Sequence, residues 1–146
     1  MELKLEIAPK DPTRWQLLET VDTVPQEWEG VALNVTLTTP EFACRCPLTG
    51  GNDYGTVTIK YVARGKLLEL AACWEYLQKY KPEALFHEHI AQRIADDVIR
   101  AIDPYMIEVT SNFPPSALCQ APIRVVTTAA GHHATSSRQS WRENEG

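Results

Sequence analysis

The sequence predicts an α+β domain, an antiparallel four-stranded sheet with two helices on one face, in the order ββααββ. Three observations carry that prediction. Apolar and polar residues alternate strictly over 31–38, the period becomes helical over 67–80 and again over 86–102, and strand-like segments return at 105–110 and 123–128. Two hairpins around a helix pair give a layered α+β fold.

Each element has its own local cause. Val31, Leu33, Val35 and Leu37 face one way and Ala32, Asn34, Thr36 and Thr38 the other, the signature of a half-buried strand. Residues 40–53, dense in Pro, Gly, Asn and Asp, read as a loop. Val57, Ile59 and Tyr61 alternate with Thr56, Thr58 and Lys60 as a second strand, and Ala63-Arg64-Gly65 turns the chain. Leu67, Leu70, Trp74 and Leu77 recur at helical spacing until Pro82, and Ile90, Ile94, Val98 and Ile102 make a second stripe that Asp103-Pro104 stops. Two open sheet edges are templates for pairing, so association through them is expected.

The chain has 146 residues, the length of one domain, able to bury a core without disulfides. Residues 1–29 read as an irregular arm, 30–130 as the domain, and 131–146 as a tail without periodicity, expected to be disordered. The N-terminus lacks the pattern of a signal peptide and no apolar run reaches bilayer length, so a cytoplasmic protein with no membrane contact is expected. Four cysteines at uneven spacing then read as reduced thiols. A net charge of −5 argues against a globally basic nucleic-acid surface, leaving only local lysines such as Lys60, Lys66, Lys79 and Lys81 for phosphates.

Two clusters carry chemistry. Cys46 and Asp53 bracket a Gly-rich loop that can bring a thiol nucleophile against a proton-donating acid. The bland alternative is a structural Cys beside a turn-forming Asp. Phe86-His87-Glu88-His89 opens the second helix, where Glu88 either compensates the helix dipole or accepts paired N–H donors from a ligand, with His87 moving a proton. Cys44, Cys46 and His87 or His89 are conceivable zinc ligands, but Cys-x-Cys is not the usual knuckle spacing and no metal is expected.

Read together, Cys46-Pro47-x-Thr49-Gly50-x-x-Asp53, Gly55-Thr56-Val57-Thr58-Ile59, Phe86-His87-Glu88 and Asp103-Pro104-x-x-Ile107-Glu108-Val109 resemble the 7-cyano-7-deazaguanine reductase (QueF) family over roughly residues 30–128. The resemblance implies the tunnelling fold (T-fold), homo-oligomeric rings and active sites at subunit interfaces. It implies that Cys46 attacks a nitrile carbon to form a thioimide, that Asp53 protonates the nitrile nitrogen, and that Glu88 and His87 hold the deazaguanine ring.

The sequence departs from the reductases at two places. Where they carry Glu-Ser/Leu-Lys-Ser/Ala-x-Lys, associated with NADPH, this chain has Glu69-Leu70-Ala71-Ala72-Cys73-Trp74, keeping Glu69 as a substrate-pocket candidate but losing both lysines. Where they carry an Arg-Gly pair it has Pro115-Ser116-Ala117. A 2′-phosphate needs cationic partners. The pattern therefore resembles the QueF-like amidinotransferases, which need no hydride donor. The expectation is a cofactor-free enzyme adding ammonia to 7-cyano-7-deazaguanine within tRNA or DNA to give the archaeosine-type formamidine. NADPH-dependent reduction of the free base towards queuosine is the alternative, and a non-catalytic T-fold binding protein the third reading.

Overall fold

Two bonds close the tight turn between the first long strands, Cys46 N–H to Gly51 O at 2.8 Å and Gly50 N–H to Cys46 O at 2.9 Å. They belong to a computed structural model that describes residues 23–25, 27, 30–116 and 121–131. The expected tail, except Gly131, and the arm up to residue 22 lie outside the described residues, as does Cys119.

The elements run β1 (Thr23–Pro25), β2 (Asn34–Arg45), β3 (Asn52–Val62), β4 (Lys66–Leu68), α1 (Leu70–Gln78), α2 (His87–Ile102), β5 (Met106–Phe113) and β6 (Ile123–Ala130). The main sheet has the order β2-β3-β5-β6, antiparallel throughout. The expected four-stranded α+β layer is the one observed. α2 packs on β5 and β6, burying Ile90, Ile94, Val98 and Ile102 against Ile59, Ile107 and Val109. Asp103 ends the helix in the left-handed region at φ 42°, ahead of Pro104.

Four expectations are corrected. The supposed loop over 40–53 is mostly strand, with the turn confined to 46–51. Pro40 lies where the β2–β3 register shifts between Thr39 and Phe42, a bulge that tolerates its missing N–H, and Phe42, Ala43 and Cys44 beyond it are buried. The helix expected over 67–80 begins only at Leu70, because Lys66–Leu68 pair with Thr23–Pro25. That same pairing gives the expected irregular arm a short strand. The apolar stripe read for this helix holds at Leu77, which is buried, and at Leu67, which packs on the core, but Leu70 and Trp74 are exposed, and Cys73 and Tyr76 face the core instead.

The helix pair is tied by a buried polar knot. Tyr76 donates to the Asp97 carboxylate, and the Tyr76 and Tyr80 hydroxyls are 2.5 Å apart. Burial pushes the Asp97 carboxyl from 3.8 up to about 6, against the lowering effects of the Tyr76 hydrogen bond and Arg100.

Candidate active site

The β2–β3 turn places a thiol and an acid at one end of the sheet. Cys44 and Asp53 are cross-strand partners, so Cys46, two residues further along the chain, enters the turn beside the carboxylate. Gly50 adopts φ +71°, a conformation that glycine accepts without a steric penalty, and this lets the turn close over six residues, 46–51. Inside it the Gly51 N–H donates to Thr49 Oγ1 at 3.2 Å, which leaves the Thr49 hydroxyl proton free to point at Cys46.

That arrangement sets the thiol. Partial burial raises the Cys46 value and the Asp53 charge adds to the rise. Hydrogen bonds to the thiolate from the Thr49 hydroxyl and from the Thr49 and Leu48 N–H groups outweigh both, and the net value falls below the ordinary 9.0. The other described thiols go the other way. Burial, then the charges of Asp53 and Cys46, push Cys44 up to about 12, and burial with the Glu69 charge pushes Cys73 to about 11. Among the described cysteines, Cys46 alone is shifted towards the thiolate.

α2 brings the third group. His87, its first residue, places Nε2 3.1 Å from Asp53 Oδ2, both side chains largely shielded. The imidazole lies flat on the Phe113 ring, centroids 4.1 Å apart and 8° from parallel, which fixes its plane. Phe113 in turn sits over Gly55, where an added Cβ would come within 2.8 Å of the ring. Cys46, Asp53, His87 and Phe113 line one cleft of about 210 Å³, with Tyr54 and Ile123 at its edge. A larger hollow of about 450 Å³, between Val31, Arg64 and Tyr105, lies by the Val62–Lys66 turn, at the opposite end of β3, and has no Cys, His or carboxylate in its wall. Chemistry, not size, selects the smaller one.

The remaining candidates stand apart from the cleft wall. Glu88 follows His87 in the first turn of α2 and is exposed. Glu69 is the N-cap of α1, its carboxylate accepting from the Ala71 and Ala72 N–H groups at 3.1 and 2.7 Å. Thr49 and Phe113 were not foreseen. Thr49 could have been found from its place three residues after Cys46, whereas nothing in the sequence singles out Phe113.

A family model described as QueF-like protein matches residues 52–130. The chain belongs to the QueF family. Among curated QueF-family relatives, the NADPH-dependent 7-cyano-7-deazaguanine reductase of Anaeromyxobacter dehalogenans is 34% identical over 72% of this chain and 82% of its own length. The enzyme of the same name from Thermosynechococcus vestitus is 30% identical over 79% and 84%. A solved structure, the archaeosine synthase QueF-Like in the apo form, superposes with a TM-score of 0.62 at 23% identity, covering 67% of this chain and 94% of that one. At that identity the likeness speaks for the fold, the expected T-fold. Among the described residues no helix is long and apolar enough to cross a membrane, and no three His, Cys, Asp or Glu side chains gather as a metal site.

Proposed function

We propose that this chain converts the nitrile of 7-cyano-7-deazaguanine, held within a nucleic acid, by adding ammonia. The Cys46 thiolate attacks the nitrile carbon, a C–S bond forms, and Asp53 delivers a proton to the nitrogen to give a thioimide. His87, hydrogen-bonded to Asp53 and fixed by Phe113, holds that carboxyl in place. Ammonia then adds to the same carbon and returns a proton to Asp53, the C–S bond breaks with Cys46 leaving as thiolate, and the product is the formamidine. No electrons are gained or lost. By the family resemblance Glu88 holds the ring N–H groups in a bidentate contact.

The observation that favours ammonia over hydride is the solvent face of α1. The helix carries no Lys or Arg, and its exposed residues include Leu70, 66% accessible, Ala71, and Trp74, 43% accessible. A 2′-phosphate there would meet apolar side chains, so these residues do not fit NADPH. The names of the curated relatives support the second reading, NADPH-dependent reduction of the free base. The two readings separate in one experiment. The protein is given the nitrile base, free and within an oligonucleotide, with either ammonium or NADPH. A mass gain of one ammonia on the oligonucleotide base is expected; rapid, substrate-dependent loss of NADPH absorbance overturns the proposal.

A further inference from the structure

Phe113 carries the His87 imidazole, so whatever fixes Phe113 also fixes the group beside Asp53. Across the sheet, Phe42 on β2 is the cross-strand partner of Gly55 on β3. Gly55 puts no side chain into that row, and a Cβ there would meet two carbons of the Phe113 ring at 2.8 and 2.9 Å. The Phe113 ring takes the space instead and meets Phe42, with centroids 6.2 Å apart and planes at 77°, an edge-on contact of the kind aromatic rings prefer. Phe113 is thus held by Phe42 as well as by the imidazole stacked on it at 4.1 Å.

Phe42 is itself backed by Tyr80, in the turn after α1, at 5.4 Å between centroids and 51°. Tyr76 on α1 meets Tyr80 at 5.4 Å and 87°. Polar bonds tie the foot of this series: the two tyrosine hydroxyls are 2.5 Å apart, and Tyr76 donates to Asp97 on α2. A buried hydroxyl that leaves such a partner loses its hydrogen bond without gaining water, so the foot resists sliding. Four rings, Tyr76, Tyr80, Phe42 and Phe113, therefore run from the polar knot to His87. All four are buried within a single chain, so their contacts do not depend on how chains associate. Phe42, Tyr76 and Tyr80 do not line the cleft, and can affect the chemistry only through what they touch. In a close-packed interior, flat rings with preferred edge and face contacts pass on a displacement that flexible aliphatic chains would absorb.

We propose that Phe42 and Tyr80 are positioning residues for the nitrile chemistry, an aromatic column that passes the fixed place of the Tyr76–Asp97 knot through Phe113 to His87 and so to the Asp53 carboxyl. The inference rests on the reading of Cys46, Asp53 and His87 as the reacting site, and adds the support that holds them in register. It gives a role to two core residues that neither touch the substrate nor move a proton.

The test compares wild-type protein with Phe42→Leu, Tyr80→Leu and Tyr80→Phe, each as the full chain and at a temperature where its unfolding curve shows it folded. One readout is the rate of covalent capture of 7-cyano-7-deazaguanine at saturating base, free or in an oligonucleotide, followed by intact mass. The other is the NMR ring signals of isotope-labelled His87, assigned by their loss in His87→Gln; a ring stacked on Phe113 has its protons shifted upfield by the ring current. Both leucine variants are expected to slow capture about tenfold or more and to move the His87 signals downfield, because a misplacement near 1 Å can cost on the order of a hundredfold. Tyr80→Phe keeps the ring and is expected to keep both the rate and the signals. Phe42→Met, close to leucine in volume and without a ring, replaces a leucine variant that does not fold, with the same expectation. A role in core filling alone would lower stability and leave both readouts unmoved. If wild-type protein captures the base and the folded leucine variants do so at the wild-type rate, or more slowly with the His87 signals in place, the column is wrong and the site stands. Tyr80→Phe as slow as Tyr80→Leu also overturns the column, since the ring is then not what acts. If wild-type protein captures the base in neither form, the reading of the site falls and the proposal with it.

Discussion

Gly55→Ala adds one methyl group at the support of the active site. An ideal Cβ at Gly55 would stand 2.5 Å from Asn112 O and 2.8 and 2.9 Å from two carbons of the Phe113 ring. The first is backbone, so β3 and β5 must part; the second moves the ring on which His87 is stacked. Overpacking of this kind costs about 1–3 kcal/mol, and urea unfolding reads it directly. The catalytic consequence is separate. Displacing Phe113 tilts His87 away from Asp53, and a misplacement near 1 Å can cost on the order of a hundredfold in rate. The assay is the rate of covalent capture of 7-cyano-7-deazaguanine by Cys46, followed by intact mass under conditions where the variant is folded. Loss of stability together with at least a tenfold slower capture is expected. Wild-type stability with a wild-type capture rate would refute the chain of contacts from Gly55 through Phe113 to His87.

Three further outcomes are expected. Thr49→Val removes a donor to the Cys46 thiolate and raises the thiol's pKa, so iodoacetamide alkylation measured against pH moves to higher pH; an unmoved profile would show that the backbone N–H groups suffice. Asp97 titrates higher folded than unfolded, so its contribution to stability is fully present below about 4 and is lost as pH rises through about 6. At about 1.4 kcal/mol per pH unit that loss is about 3 kcal/mol at most, and Asp97→Asn should flatten the unfolding free energy measured over this window. Glu69→Ala should cost about 1 kcal/mol through the lost cap, read by urea unfolding; slower nitrile capture by the folded variant would instead place its carboxylate in the substrate pocket.

The fold was readable where one face of an element is buried. The α2 stripe and the alternation in β3 each have a single packed side, and both stand where periodicity put them. α1 failed that test because Leu70 and Trp74 are exposed apolar residues, and an exposed apolar residue mimics a core position in any pattern of hydrophobicity. The extent of β2 was hidden by Pro40, which reads as a loop residue but occupies a bulge. In the site, Cys46 and Asp53 were visible as a pair on one turn, whereas the His87–Asp53 contact joins residues 34 apart. Phe113 and Gly55 are ordinary strand residues until the tertiary structure sets them under His87, and no local signal reveals a support that is made by packing.

Intact-mass spectrometry of the protein incubated with free 7-cyano-7-deazaguanine, beside Cys46→Ala, tests the central claim most directly. Wild-type protein should gain the mass of one whole base and the variant none, because among the described thiols only Cys46 has its pKa lowered, while Cys44 and Cys73 are raised. An adduct of the same mass on Cys46→Ala would move the nucleophile elsewhere. No adduct on wild-type protein, with the free base or with the base in an oligonucleotide, would contradict the thioimide chemistry itself.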